Sequence, residues 1–208
     1  MTAGRFITLE GGEGAGKTTA AGQVADWLAQ RGRQVIRTRE PGGTPAAEEV
    51  RRVLLDPATG DLEPMTELLL MFAARAENLA RIIRPALAAG HDVLCDRFTD
   101  ASRAYQGGGR RLGMQVVDRL AAVVHPDLKP DLTLLLDVPV EVGLARIRQR
   151  GGQADRFERA RTEFMERVRS AYLTRARLEP ERIVVIDAAQ PLAQVRDAID
   201  QALEARLR

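Results

Sequence analysis

Residues 11–18 read Gly11-Gly12-Glu13-Gly14-Ala15-Gly16-Lys17-Thr18, and this stretch decides the fold of the chain. It follows the pattern Gly, four residues, Gly-Lys-Thr, which is typical of a loop that binds phosphate through its backbone N–H groups. Residues 5–9 before it form a short apolar run that predicts a strand, and residues 18–30 after it carry apolar side chains at helical spacing. Because strand, loop and helix come in this order, the stretch predicts a nucleoside triphosphate site.

Two side chains of the loop suit a bound triphosphate. Lys17 is expected to reach the β- and γ-phosphates, and the Thr18 hydroxyl is expected to hold Mg²⁺. The helix that begins at the loop adds the positive end of its dipole. We therefore expect the triphosphate to be bound by Gly11, Gly12, Glu13, Gly14, Ala15, Gly16, Lys17 and Thr18.

The composition limits the kind of protein this is. A chain of 208 residues is expected to form one domain, residues 1–208, with a substantial core. It contains no run of about 18 apolar residues and no secretory pattern, which predicts a soluble, cytoplasmic protein without membrane contact. The single cysteine, Cys95, suits a reducing compartment. With a net charge of +2, a surface that coats nucleic acid is not expected.

Short apolar runs alternate with helical patterns along the rest of the chain. This alternation predicts an α/β fold with one doubly wound parallel sheet and with ligands at the carboxyl ends of its strands. The longest helix is expected over residues 65–88, with its Leu68–Phe72 run buried on all sides. The glycine-rich residues 106–111 predict a loop. The five strands are expected at residues 5–9, 34–38, 92–96, 132–136 and 183–186.

Charged residues directly follow several of these strands. Asp96 ends the third strand, where it is expected to bind Mg²⁺ opposite the loop threonine, although a carboxylate there can also cap the next turn. Arg97 and Arg39 are phosphate donors of the bidentate kind. Because the carboxyl ends of parallel strands meet at one edge, we expect these residues to converge with Glu13 and Lys17.

Residues 146–158 combine a helix end, a glycine break and several arginines. Such a segment can be an ordinary charged surface loop. Its place between the fourth and fifth strands instead favours a lid, whose arginines would close over the transferring phosphates, exclude water and neutralise charge.

Several classes of nucleotide-binding protein are excluded by missing residues. A GTP-binding switch needs an Asn-Lys-x-Asp guanine reader, but the only asparagine is Asn78, which leucine follows. The Ser-Gly-Gly-Gln signature of transporter ATPases is absent. A kinase whose acceptor is a phosphate fits these absences. A phosphate monoester is already an anionic nucleophile near neutral pH, so it needs positioning and charge neutralisation rather than a strong base.

The sequence is similar to one known family, the bacterial thymidylate kinases. The similarity runs along nearly the whole chain, and two of its segments, Arg-Glu-Pro-Gly-Gly-Thr and Ala-Tyr-Gln-Gly-Gly-Gly, are much more specific than the phosphate loop. The segments that carry it are residues 8–19 (TLEGGEGAGKTT), 38–44 (TREPGGT), 72–75 (FAAR), 95–98 (CDRF), 104–110 (AYQGGGR), 130–137 (PDLTLLLD) and 155–158 (DRFE).

This resemblance implies a fold, a reaction and an assembly. The fold would be that of P-loop nucleoside monophosphate kinases, with three layers and a five-stranded parallel sheet flanked by helices. The reaction would transfer the γ-phosphate of ATP to dTMP with Mg²⁺, giving ADP and dTDP for dTTP synthesis, and the chain would form a homodimer. Two alternatives remain: a P-loop kinase for another small phosphorylated acceptor, and a nucleotide-binding regulator without catalysis. Lys17, Asp96 and the lid arginines disfavour the second.

The resemblance also implies roles at the dTMP site. Arg97 and Arg39 would clamp the dTMP phosphate. Arg75 would donate to a thymine carbonyl, and Ser102 would hydrogen-bond the base edge. Tyr105 would lie against the deoxyribose, where a 2′-hydroxyl would crowd. The whole expected site consists of Glu13, Arg39, Pro41, Met71, Phe72, Arg75, Arg97, Ser102 and Tyr105.

The resemblance further places the transition-state arginine. The loop sequence Glu13-Gly14-Ala15 offers no arginine, so the chain resembles the branch of the family that supplies it from the lid, and Arg150 and Arg156 are the expected residues. Glu13 would accept from the sugar 3′-hydroxyl or organise Mg²⁺ and water. The expected catalytic set is thus Lys17, Arg97, Arg150, Arg156 and Glu13, and Thr19 and Arg146 complete the ATP site, with Arg146 on adenine.

The residue that stacks on thymine is left open by the sequence. The family often has an aromatic residue four positions before Arg75, but that position is Met71 here and Phe72 lies three before. Both can face one side of a helix, so stacking by Phe72 is expected, with Phe72 as plain core the alternative.

Overall fold

Five parallel strands form one sheet in the computed structural model, which is described here over residues 4–149 and 158–207. The strands are β1 (Phe6–Gly11), β2 (Val35–Arg39), β3 (Asp92–Asp96), β4 (Leu132–Asp137) and β5 (Ile183–Asp187). Their order across the sheet is β2-β3-β1-β4-β5, and every neighbouring pair is parallel. The predicted strands and the parallel sheet are confirmed.

Helices cover both faces of this sheet. They are α1 (Lys17–Ala29), α2 (Pro45–Leu55), α3 (Pro64–Asn78), α4 (Arg84–Ala88), α5 (Thr99–Ser102), α6 (Met114–Val124), α7 (Val140–Gln149), α8 (Glu158–Leu178) and α9 (Leu192–Arg206). Short 3₁₀ and π-helical segments occupy Pro57–Thr59, Leu79–Ile83 and Arg103–Gly109. Over the described ranges, no helix combines the length and apolar character that crossing a bilayer requires.

The alternation of side chains along β1 divides the core into layers. Ile7 and Leu9 are buried in a cluster that includes Leu28 of α1 and Leu203 of α9. Phe6 points to the opposite face and belongs to a second cluster with the Leu79–Ile83 segment. Because successive residues of a strand point to opposite faces, one strand anchors both helical layers.

The strand register brings the functional ends of three strands together. Asp96 at the end of β3 pairs with Leu9 of β1 on one side and with Arg39 of β2 on the other. The phosphate loop leaves β1 two residues after Leu9. Residues that lie far apart in the chain therefore meet at one edge of the sheet, as the sequence predicted.

The loop predicted at residues 106–111 is wrong over most of its length. Residues up to Gly109 belong to a π-helical segment that continues α5. The glycines act here as points of close packing rather than as breakers. A Cβ atom on Gly108 would lie 2.7 Å from Cβ of Ala171, and one on Gly109 would lie 2.6 Å from the Phe164 ring, so only glycine lets α8 approach.

The long helix predicted over residues 65–88 forms in three pieces rather than one. α3 passes into the π-helical Leu79–Ile83 segment and then into α4, where Pro85 has no N–H to continue the regular hydrogen bonding. The expectation that Leu68–Phe72 is buried on all sides is also wrong. Leu68 and Phe72 are buried, but Leu69 is 51% exposed because one face of α3 points away from the core.

Candidate active site

The phosphate loop joins the end of β1 to the first turn of α1. Gly14 and Gly16 have φ angles of 71° and 91°, in the left-handed region that side chains other than glycine rarely adopt. A Cβ on Gly14 would also lie 2.3 Å from the carbonyl oxygen of Gly143. These constraints explain the glycines of the loop and give the strand–loop–helix arrangement of a phosphate-binding loop.

Lys17 is folded back onto this loop. Its Nζ donates to the carbonyl oxygens of Gly11 at 3.2 Å and Gly12 at 2.9 Å. Burial and, to a lesser extent, the nearby Arg97 lower the pKa of Lys17 to about 8, against the opposing effect of neighbouring carboxylates. The ammonium group is therefore held in place by weak neutral acceptors, which a polyphosphate can replace.

Asp96 and Thr18 line one cavity of about 370 Å³, which we call the Asp96 cavity. Oδ1 of Asp96 is buried and has no hydrogen-bond partner in the described part of the chain. A buried carboxylate oxygen without a donor fits a cation. No cluster of three or more His, Cys, Asp or Glu side chains that fits a metal ion was found among the described residues, so phosphate oxygens and water would supply the other ligands of Mg²⁺.

Arg39 and Arg97 were expected to clamp one phosphate, but they line different cavities. Arg39 belongs to the Asp96 cavity, where its guanidinium donates to Glu48 at 2.9 Å and 3.2 Å. Glu48 also accepts from the backbone N–H of Gly43. In this structure Arg39 is thus committed to a carboxylate, and its role on a phosphate stays a prediction.

Arg97 is held rigidly between two tyrosines. It has a φ of 72°, uncommon for a residue with a side chain, and its backbone N–H donates to the Leu9 carbonyl at 2.9 Å. Its Nη1 and Nη2 donate to the hydroxyls of Tyr172 at 3.3 Å and Tyr105 at 3.1 Å. The guanidinium also lies 4.7 Å from the centre of the Tyr105 ring. Tyr172, on α8, was not singled out from the sequence.

Glu10 is a second residue that the sequence reasoning missed. Its carboxylate is fully buried beneath the site and accepts from the backbone N–H of Phe98 and from the Tyr172 hydroxyl, both at 2.7 Å. Burial and, to a lesser extent, the nearby Asp100 raise the pKa of Glu10 to about 7. The sequence did offer a signal for Glu10, because an acidic residue inside an otherwise apolar strand is costly to bury without a partner.

A cavity of about 410 Å³, the central cavity, opens beside the phosphate loop. Five of the residues expected at the dTMP site line it: Glu13, Pro41, Met71, Arg97 and Tyr105. It is also lined by polar residues that the sequence analysis did not name, Arg51, Gln106 and Arg110. The Glu40–Pro41 peptide bond at its edge is cis.

Phe72, Arg75 and Ser102 lie behind the wall of the central cavity rather than on its surface. Arg75 is fully buried, with its guanidinium carbon 4.4 Å from the Phe72 ring centre and 5.0 Å from that of Phe98. Its Nε donates to Glu40 at 2.6 Å and its Nη2 to the Ser102 hydroxyl at 3.0 Å. Met71, not Phe72, reaches the cavity, so the structure favours Phe72 as core.

Glu13 forms an ion pair with an arginine that was not predicted. Nη2 of Arg161, near the start of α8, lies 2.5 Å from the Glu13 carboxylate, and both side chains are 40% exposed. The expected lid arginines Arg150 and Arg156 lie outside the described residues. Arg161 has no sequence signal of its own, because the contact depends on how α8 approaches the loop.

Arg146 lies on the other side of the phosphate loop. Its Nη1 donates to the Gly14 carbonyl at 3.4 Å, and it lines a cavity of about 250 Å³, the Arg146 cavity, together with Gly16 and Thr19. Apolar residues of α9 close this cavity. A planar base attached to a triphosphate in the loop would fit this side.

A phosphate loop with a separate polar cavity beside it, both at the carboxyl edge of a five-stranded parallel sheet, defines a P-loop kinase of the nucleoside monophosphate kinase class. Comparisons with known proteins identify the family within this class. The thymidylate kinase family model matches residues 9–199, and the chain belongs to the thymidylate kinase family.

Relatives from two bacterial genera are similar over almost their entire length. Thymidylate kinase of Chromohalobacter salexigens is 57% identical over 208 residues, which are 100% of this chain and 98% of the relative. Thymidylate kinase of Pseudomonas fluorescens is 58% identical over 200 residues, 96% and 95% of the two chains. The crystal structure of thymidylate kinase from Ehrlichia chaffeensis superposes with a TM-score of 0.80 at 33% identity, covering 97% of this chain and 99% of that one.

Proposed function

We propose that this chain transfers the γ-phosphate of ATP to dTMP, giving ADP and dTDP. One observation carries the proposal: Glu13 of the phosphate loop also lines the central cavity. The loop follows β1 and Arg97 follows the neighbouring strand β3, both at the carboxyl edge of the sheet. A donor phosphate in the loop and an acceptor phosphate beside Arg97 would therefore face each other across a short gap. Such positioning is the main catalytic requirement when the nucleophile is already an anion.

The donor side is assigned to the loop and its neighbours. The backbone N–H groups of residues 11–19 and the Lys17 ammonium would hold the ATP phosphates, with the base in the Arg146 cavity. Thr18 and Asp96 would hold Mg²⁺, as the unpartnered Asp96 oxygen suggests. When bound, Mg²⁺ supplies charge neutralisation between the β- and γ-phosphates.

The acceptor side is assigned to the central cavity. Arg97, fixed by two tyrosine hydroxyls, would bind the dTMP phosphate, and Tyr105 would lie against the deoxyribose. Met71 offers the apolar contact for the base, with Arg75 and Ser102 behind it. Glu13 would accept from the 3′-hydroxyl. Arg39 would reach the phosphate after leaving Glu48.

A cation is still needed for the charge that develops in the transition state. We propose Arg150 and Arg156 of the predicted lid, about residues 146–158, because Glu13-Gly14-Ala15 holds no arginine.

The reaction is tested by measuring ADP release with each nucleoside monophosphate as acceptor. We expect kcat/KM for dTMP to exceed that for the ribonucleoside monophosphates by at least about tenfold, because Tyr105 would leave little room for a 2′-hydroxyl. A reaction mixture without acceptor controls for simple ATP hydrolysis. Equal rates with all monophosphates would contradict the choice of acceptor, while no release with any of them would contradict the kinase itself.

ATP binding is expected to take up a proton near pH 8. Burial lowers the pKa of Lys17 to about 8, and bound polyphosphate raises it again, so affinity should fall as pH rises above 8. Titration calorimetry of Mg-ATP at pH 8 in buffers of different ionisation enthalpy should give an uptake of roughly half a proton. The Lys17→Met variant is the control and should show none. Equal uptake in both proteins would contradict the assignment to Lys17.

We also propose a homodimer joined through helices. The described chain leaves apolar side chains uncovered on neighbouring helices, with Val53 of α2 36% exposed and Leu69 of α3 51% exposed. Burying such side chains against a second copy removes apolar surface from water. A second α3 would complete the burial of the Leu68–Phe72 run.

A further inference from the structure

A fourth cavity, of about 300 Å³, has no part in the function proposed above. We call it the lateral cavity; Phe98, Arg103, His125, Lys129, Arg175 and Arg182 line it. None of its lining residues belongs to the phosphate loop or to the central cavity. Its volume lies at the lower end of the range for small-molecule sites.

Three arginines of the lateral cavity crowd around one buried carboxylate. Asp100 accepts from Arg103 at 2.9 Å and from Arg182 at 2.7 Å, and Nε of Arg175 lies 3.6 Å away. Nε of Arg175 is buried and has no hydrogen-bond partner in the described ranges. Burial lowers the pKa of Arg175 and the neighbouring Arg103 lowers it further, while Nη2 of Arg175 pairs with the Glu179 carboxylate.

Lys129 adds a further positive charge at the rim. It is one of only two lysines in the chain, the other being Lys17 of the phosphate loop. Its side chain is exposed, and no ion pair to it is found among residues 4–149 and 158–207. The three arginines of the lining are balanced by three carboxylates, Asp100, Asp118 and Glu179, so Lys129 gives the lateral cavity a net positive charge.

The opposite wall of the lateral cavity is apolar and aromatic. Phe98 and His125 are both buried, with ring centres 4.8 Å apart. Both ring nitrogens of His125 have partners, at 2.9 Å to the Thr99 hydroxyl and 3.1 Å to the Leu128 carbonyl. Burial lowers the pKa of His125 to about 4, so its ring is uncharged at neutral pH and acts as part of the apolar wall.

We propose that the lateral cavity binds a small organic anion with a flat ring. The phosphate or carboxylate group would lie against Arg175 and Lys129, and the ring would pack on the wall formed by Phe98 and His125. Such a ligand would pair with Lys129 and offer an acceptor to the unpartnered Nε of Arg175.

A ligand in the lateral cavity would affect the dTMP site through aromatic rings that contact both places. This step rests on the proposed function. Phe98 contacts the lateral cavity and also lies 5.0 Å from the Arg75 guanidinium. His125 stacks on Phe72 with ring centres 6.4 Å apart and an interplanar angle of 2°, and Phe72 carries Arg75 on its ring. A ligand that shifts either ring would therefore move Arg75 and alter dTMP binding.

Binding is tested by calorimetry on the full chain, with dTMP and a non-hydrolysable ATP analogue at saturation to fill the catalytic cavities. Phenyl phosphate and benzoate are the probes, and they distinguish a phosphate from a carboxylate as the anionic group. Inorganic phosphate tests the anionic group alone, and phenol tests the ring alone. We expect one site per chain for at least one probe, bound more tightly than either part. Absence of binding at roughly 10 mM, or equal binding of inorganic phosphate, would overturn the proposal.

Two exposed positions make the test specific to the lateral cavity. Lys129→Ala should weaken probe binding roughly fivefold, and Asp118→Asn, which removes a carboxylate from the rim, should strengthen it by a similar factor. Arg196→Ala on α9 is the matched control and should change nothing. If neither rim variant changes the affinity for the probe, the probe binds elsewhere and the proposed site is refuted.

The coupling is read from the KM for dTMP in the presence of the probe. It should change several-fold in the native chain, and Lys129→Ala should need about fivefold more probe for the same change. An unchanged KM in the native chain would overturn the coupling. A chain without dTMP kinase activity would contradict the proposed function, whereas the calorimetric result would still decide whether the lateral cavity binds anions.

Discussion

Replacing Lys17 with alanine is expected to lower kcat by about three orders of magnitude. The ammonium is the only cation of the phosphate loop itself, and it is held over the loop by the carbonyl oxygens of Gly11 and Gly12, at 3.2 and 2.9 Å. The Lys17 ammonium contributes more in the transition state, because negative charge then develops on the transferring phosphate. The loss should appear in steady-state kinetics with dTMP and Mg-ATP at saturation.

Arg31→Ala is the control for Lys17→Ala. It removes a positive charge from an exposed residue that follows α1, beside Trp27, and should leave kcat unchanged. Thermal unfolding of both variants should stay close to that of the native chain, because Lys17 forms only two hydrogen bonds to the loop. Turnover of the alanine variant within tenfold of normal would rule out the role given to Lys17.

Replacing Arg75 with alanine is expected to destabilise the fold by about 3–5 kcal/mol and to lower the unfolding midpoint by roughly 10 °C. Its partner Glu40 would be left as a buried carboxylate, since both side chains are almost fully enclosed. Burial raises the pKa of Glu40 even with Arg75 beside it, and removing the arginine raises it further. The unfolded chain then gives up this proton at lower pH, so the destabilisation should be larger at pH 8 than at pH 5.

Circular dichroism melts at the two pH values measure this effect. The double variant Glu40→Gln with Arg75→Met should recover part of the loss, because it removes both charges. Arg84→Ala breaks an exposed pair with Asp127 and should barely move the midpoint. If Arg75→Ala melted like Arg84→Ala, the buried pair would not matter to stability.

The sheet and the phosphate loop could be predicted because their signals are local. Residues 6–18 carry an apolar strand, positive-φ glycines and a helix start in one continuous stretch, and Thr44 caps α2 by accepting from the Ala47 N–H at 3.2 Å. The convergence of Asp96 and Arg97 with the loop followed from parallel-strand geometry alone. Neither step needed knowledge of distant contacts.

The remaining features depend on how helices pack, which the sequence does not reveal. The Arg103–Gly109 segment contained breaker residues, but its glycines serve the approach of α8. Phe72 and Arg75 lie on one helix face, and the packing of Phe72 against α6 and His125 decides that Phe72 is core. Arg161 and Tyr172 belong to a helix with many arginines, so nothing marked them out before their partners were placed.

The close seam between α8 and Gly108–Gly109 has a mechanical consequence. Ala171 and Phe164 of α8 pack directly on Gly108 and Gly109, so we expect the two segments to move as one rigid unit. In this unit, α8 contacts Glu13 through the Arg161 ion pair near its amino end and Arg97 through the Tyr172 hydroxyl further along. A tilt of α8 would therefore move Glu13 and Arg97 at the same time, so binding of the donor and of the acceptor would be coupled through one helix.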